Sequence, residues 1–323
     1  MIINCILIAL GFLLLIKVAD FLVDGASSIA KKFHIPEIVI GLTVVAIGTS
    51  MPELVVSVQS SLEGHSDIAL GNIVGSNLAN MFLILGICAI IKPLLFKKET
   101  RVFENPIMLA TTIILFVMCK IGMEAHVISR IEGIILLGIC VAFILYNIIM
   151  AKKGETFDKQ DGQEIVEIEK QMSIGKSLLF IVLGIAGLKF GGDFVVDNAV
   201  AIAGILGISE KLISVTIVAI ATSLPELVTS ITATRKGETD MAIGNILGSQ
   251  IFNIVLILGV SATLSPIQYS GIYDRDMLVL IAGSILLCLY PYIGKKNQMT
   301  ANNGIFFVLI YGFYMANLIF SNI

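Results

Sequence analysis

The chain has 323 residues, 57% of them hydrophobic and 14% charged, with a mean hydropathy of +0.97 and a formal net charge of −3. An apolar share above the half or so usual in soluble domains excludes an ordinary globular protein and points to an all-α integral membrane protein of many spans. The near-balanced charge gives no sign of a nucleic-acid partner, and the absence of Trp leaves interfacial anchoring to Tyr, Lys and Arg.

Apolar stretches of about 20 residues are long enough to cross a bilayer as helices. In chain order the sequence predicts ten, at 3–30, 36–62, 68–91, 104–121, 127–150, 173–203, 209–234, 241–263, 275–293 and 303–321. The first has no Lys or Arg ahead of its apolar core, as a secretory signal would, and is read as a retained helix. Lys and Arg sort by side: fifteen lie on the face reached after odd-numbered helices and four on the other. Since basic residues gather in the cytoplasm, both termini are expected outside, in a plasma-membrane protein whose polar stretch 151–172 is a solvated cytoplasmic linker. The five cysteines are widely spaced and form no CxxC or Cys/His cluster, so they read as small apolar residues.

Helices two and three are echoed by helices seven and eight. Residues 41–86 match residues 214–259 at 24 of 46 positions, at a constant offset of 173 and without a gap. The match extends upstream, where Asp20 and Asp24 answer to Asp193 and Asp197. The unit is therefore five helices, 1–150 and 173–323 flanking the linker. An odd number of crossings makes the two units inverted repeats. For the four aspartates, local ion pairing near Lys17 and Lys189 or an interfacial position is the expectation.

The identities fall on polar and helix-breaking residues inside apolar runs. Thr49, Ser50, Pro52 and Glu53 correspond to Thr222, Ser223, Pro225 and Glu226; Asn72, Ser76 and Asn80 correspond to Asn245, Ser249 and Asn253. A carboxylate in mid-membrane costs about 2.5 kcal/mol or more, so Glu53 and Glu226 read as functional. Pro52 and Pro225 carry no N–H and crowd the carbonyls of Gly48 and Ala221, so helices two and seven should open just before them. Spacings of three and four put Thr49 and Ser50 on one helical face with Glu53, and align Asn72, Ser76 and Asn80 on another. Gly71 with Gly75, and Gly244 with Gly248, would let a partner helix approach closely. Thr43 and Thr216 read as packing residues bonded to their own helices. Asn72 and Asn245 read equally as caps of the opened helix or as ion contacts.

The set is all oxygen, as hard cations such as Ca2+ require, and has no thiol or imidazole nearby for Zn2+ or Cu+. A membrane-embedded enzyme is the distant alternative, and no HExxH or GxSxG motif supports it.

The segments AIGTSMPEL…GNIVGSNLAN and AIATSLPEL…GNILGSQIFN resemble the two alpha-repeats of the cation/calcium exchanger superfamily, and most closely its prokaryotic sodium/calcium exchangers. The resemblance covers the whole chain. It implies a non-enzymatic antiporter that exchanges Ca2+ for Na+ at a midmembrane site between the repeats, without a cofactor or protein partner. The site would open to either side as helices one and six slide over the other eight. The ligands it implies are Ala46 (carbonyl), Thr49, Ser50, Glu53, Ser76, Asn80, Ala219 (carbonyl), Thr222, Ser223, Glu226, Ser249 and Asn253. Two positions depart from the family. Ala221 stands where Gly is usual, and Asn253 stands where several relatives carry the Asp that accompanies potassium co-transport. Exchange of Ca2+ for H+ is the alternative, since buried carboxylates also carry protons.

Overall fold

In the computed structural model, residues 2–123, 125–157, 172–205, 222–293 and 297–321 are described. Almost all of them are helical. Apolar runs give α1 (Ile2–Lys32), and then a bent pair, α2 (Glu37–Thr49) and α3 (Met51–Leu62). Next come α4 (Ser66–Ile91), α5 (Thr100–Ile121) and α6 (Arg130–Phe157). After the linker come α7 (Ile174–Ile205), α8 (Leu224–Lys236), α9 (Thr239–Leu264), α10 (Asp274–Ile293) and α11 (Ala301–Ser321). The start of the predicted seventh helix, with Ala219, Thr216 and Ala221, lies outside the described residues, as does most of the linker.

Six of these helices are long and apolar enough to span a membrane unbroken, and the bent pair α2–α3 makes a seventh candidate. Most bury only a third or so of their span, as helices facing lipid do, whereas α4 and α9 are 78% and 89% buried. These two form the centre, and α2, α3 and α8 pack on them. α1 and α7 lie against each other in a second layer with its own apolar cluster, including Leu15, Leu22, Ile181 and Leu188.

Glycine sets the closest approach. A Cβ on Gly244 would stand 2.5 Å from the Ile38 carbonyl, and one on Gly41 equally close to that of Met241, so α2 and α9 cross backbone to backbone. Gly248 extends that contact to Leu42 and Ala46, as its spacing predicts. Gly71 behaves differently, lying against the Tyr273 ring rather than a helix backbone.

Two miniature antiparallel sheets tie the ends together. β1 (Leu94–Leu95) pairs with β4 (Gln298–Met299), and β2 (Val127–Ile128) with β3 (Ile267–Gln268). Each joins one strand from before the linker to one from after it.

Among the aspartates, Lys189 pairs with Asp193 four residues on at 2.9 Å. Asp20 and Asp24 instead meet Lys236, at 3.0 and 2.7 Å. The end of α8 packs against α1 and delivers its lysine to both acids, so the pairing is between helices rather than local to Lys17. Of the cysteines, Cys88, Cys119 and Cys140 are buried, and Cys5 is exposed on the apolar face of α1.

Candidate functional site

Ser50 breaks the first proline-bearing helix, and Ser223 stands at the matching place just ahead of α8. Their backbones sit at φ −82°, ψ 9° and φ −86°, ψ 3°, in the sparsely populated region next to the helical well. The axes of α2 and α3 meet there at 48°. Pro52 and Pro225 then occupy the first turns of α3 and α8, where a missing N–H costs nothing. Glu53 and Glu226 follow in the same turns, where the helix dipole favours a negative charge.

Both carboxylates have no solvent exposure. Glu226 Oε1 accepts hydrogen bonds from Ser50 Oγ at 2.9 Å and Ser249 Oγ at 3.4 Å. Glu53 Oε1 accepts from Ser76 Oγ at 3.4 Å, which also lies 3.4 Å from Thr222 Oγ1. Thr49 donates to Asn245 Oδ1, and Thr222 to Asn72 Oδ1, each at 3.1 Å. All of the side chains in the implied ligand set that lie among the described residues are buried, Pro52 and Asn72 are half-buried, and hydrogen bonds connect most of the ligand set across the two halves.

Several buried polar atoms have no hydrogen-bond partner: Glu53 Oε2, Glu226 Oε2, Ser223 Oγ, Asn253 Oδ1 and both amide ends of Asn80. Buried polar groups are nearly always paired, and these orphaned oxygens beside two carboxylates have the donor chemistry that a hard cation requires. The Ala46 carbonyl accepts from the Ser50 N–H at 3.0 Å and lies 3.3 Å from Thr49 Oγ1.

The two asparagines open to either reading face α3, α8 and the threonines. Asn72 Nδ2 reaches the Glu53 carbonyl at 3.3 Å and Ser57 Oγ at 3.0 Å, and Asn245 Nδ2 reaches Ser230 Oγ at 2.9 Å. Thr43 donates to the Val39 carbonyl of its own helix at 2.6 Å, as expected of a packing residue.

Sequence reasoning passed over Ser57 and Ser230, which hold these asparagines, although the two serines are themselves an identical pair 173 apart. It also passed over two π-helical stretches, Ala79–Ile84 and Asn253–Leu258, which start at or beside Asn80 and Asn253. Such a bulge re-aims the side chains around it and frequently marks a functional site. No composition signal foretells it, because it is a shift in backbone hydrogen bonding.

Comparison with known proteins agrees with this architecture. A family model described as sodium/calcium exchanger protein matches residues 3–149 and 176–320. The putative antiporter CaxA of Alkalimonas amylolytica is 35% identical over 100% of both chains. The sodium/calcium exchanger MaX1 of Methanosarcina acetivorans is 30% identical over 98% of both. Among solved structures, the sodium-calcium exchanger NCX_Mj soaked with zero Na+ and Ca2+ superposes with a TM-score of 0.82 at 32% identity, covering 98% of this chain and 99% of that one.

Proposed function

This chain belongs to the sodium/calcium exchanger family of membrane antiporters, and from that premise we propose that it exchanges Ca2+ for Na+ across the plasma membrane by alternating access. The architecture proposed for this is ten transmembrane helices in two inverted five-helix repeats, 1–150 and 173–323, with the 151–172 linker in the cytoplasm and both termini outside. Mirrored bonds support it. Thr49 to Asn245 has its counterpart in Thr222 to Asn72, and Asn72 to Ser57 in Asn245 to Ser230, each residue displaced by 173.

The cargo site lies at mid-membrane between the repeats. Its ligands are Thr49, Ser50, Glu53, Ser76, Asn80, Thr222, Ser223, Glu226, Ser249 and Asn253, with the carbonyls of Ala46 and Ala219. Ca2+ and Na+ are substrates, and the protein needs no resident cofactor. Pro52 and Pro225 hold the helices open, while Asn72 and Asn245 orient the threonines rather than the ions.

One observation carries the reading: each carboxylate keeps a buried oxygen without a partner, in a shell of hydroxyls and amides drawn from both halves. Two uncompensated charges in an apolar medium are costly. An ion-free site therefore resists crossing the membrane barrier, and one Ca2+ or two monovalent ions cancel its charge. That condition enforces exchange over leak.

The test is calcium-45 uptake into proteoliposomes loaded with NaCl, against vesicles loaded with choline chloride, with and without a pH gradient. Uptake that requires internal sodium and ignores the pH gradient is the expected result. Uptake driven by protons without sodium would replace it with Ca2+/H+ exchange at the same carboxylates.

A further inference from the structure

Asn77 and Gln250 are polar, fully enclosed and absent from the ligand set, yet they occupy corresponding places 173 residues apart on α4 and α9. Asn77 Nδ2 donates to the backbone carbonyl of Gln250 at 3.2 Å. Asn77 Oδ1 accepts from Asn253 Nδ2 at 2.9 Å. A backbone carbonyl can only accept, so it dictates that Asn77 turns its nitrogen toward α9 and its oxygen the other way. That oxygen in turn can only accept, which dictates that Asn253 presents its nitrogen to Asn77. The remaining end of Asn253 is Oδ1, buried and without a partner.

We infer that Asn77 is a positioning residue for ion binding: through one backbone carbonyl and two amides in series, it fixes Asn253 with its oxygen, and not its nitrogen, free to ligate a cation. This rests on the proposed exchange reading, in which Asn253 is a ligand. An asparagine can offer a cation either a carbonyl oxygen or a repelling N–H pair, and nothing in Asn253 itself chooses between them. The neighbouring helix makes the choice before an ion arrives.

The other half lacks this device. Gln250, one methylene longer than Asn77, turns its Nε2 back to the Ile246 carbonyl of its own helix at 3.5 Å and leaves Oε1 unpartnered. Its counterpart ligand, Asn80, accordingly has neither amide end held. The site thus combines one ligand set in advance with one that orients on binding.

The test uses the purified full-length protein in detergent, reading the Ca2+ concentration that gives half-maximal thermal stabilisation, together with KM and maximal rate in proteoliposomes. Asn77→Leu removes the acceptor facing Asn253 and should raise the half-saturating Ca2+ about fivefold, roughly one lost hydrogen bond. In an Asn253→Ala background the same change should leave half-saturation where that single variant puts it, because the ligand through which Asn77 acts is gone. Should the leucine variant not fold, Asn77→Ser keeps a polar group too short to bridge to Asn253, and carries the same expectations. Unchanged half-saturation with a lowered maximal rate, or an equal loss in the Asn253→Ala background, would overturn the relay while leaving the exchange reading standing. A wild-type protein that neither Ca2+ nor Na+ stabilises would remove the exchange reading, and the relay with it.

Discussion

Ser50 Oγ donates to Glu226 Oε1 at 2.9 Å, so a hydroxyl at the break of one half is committed to the carboxylate of the other. Its counterpart does not reciprocate, since Ser223 Oγ is buried without a partner. The two serines should therefore separate in mutants. Ser50→Ala removes a hydrogen bond to a carboxylate and should lower the stability of the ion-free protein by about 1.5–3 kcal/mol. Ser223→Ala should leave ion-free stability within about 0.5 kcal/mol and still weaken ion binding. Thermal unfolding with and without Ca2+ checks both halves of the claim.

Glu53→Gln and Glu226→Gln are isosteric and each removes one charge from the site. Exchange should fall to background in both, while the proteins purify as folded species with unchanged helical circular dichroism. Normal sodium-dependent calcium uptake by either variant would sink the site assignment. Thr43→Val serves as the control. Its hydroxyl bonds only its own helix, and loss of that bond should leave KM and maximal rate at wild-type values.

Gly244 and Gly41 let α2 and α9 touch through their backbones. Gly244→Ala inserts a Cβ against the Ile38 carbonyl, which belongs to a helix backbone and cannot step aside as a side chain would. Overpacking of this kind costs about 1–3 kcal/mol, and α2 carries Thr49 to the site. The variant should lose both thermal stability and calcium affinity, whereas Gly138→Ala, with open space around it, should lose neither.

The bend between α2 and α3, the buried glutamates and their hydroxyl neighbours could be read from the sequence because each depends on local chemistry: proline at Pro52, spacing of three and four around Glu53, and identity at a fixed offset. What could not be read is which half serves which. Ser50 bonds Glu226 rather than Glu53, and Asp24 bonds Lys236 rather than a residue on its own helix. Such pairings are set by how helices pack, and a linear pattern does not encode that directly. Asn77 escaped for a related reason. Its counterpart is Gln250, so a search for identical residues passes over it, although a search for polar residues in matched buried positions would find both.

Lys236 supplies the last expectation. It holds Asp20 and Asp24 of α1 at 3.0 and 2.7 Å, and nearby Ser27 and Lys31 bond Glu238 at 2.9 and 3.2 Å. These contacts tie α1 to the end of α8 that is proposed to face the cytoplasm. Under the 173-residue correspondence, the counterpart of Lys236 is Glu63, and those of the two acids are Asp193 and Asp197. A mirrored closure on the other face would therefore set acid against acid, so the charges favour the arrangement seen here. The pairs are partly exposed, and each contributes at most about 1 kcal/mol, less at high salt. Lys236→Glu should loosen α1 from α8 with little effect on overall stability. A cysteine at buried Ala26, in a background without the native cysteines, should then react several-fold faster with a membrane-impermeant maleimide. Adding Asp24→Lys to Lys236→Glu restores an opposite-charge pair and should return the rate toward its starting value. Equal labelling in all three proteins would show that the ion pairs do not hold the helix.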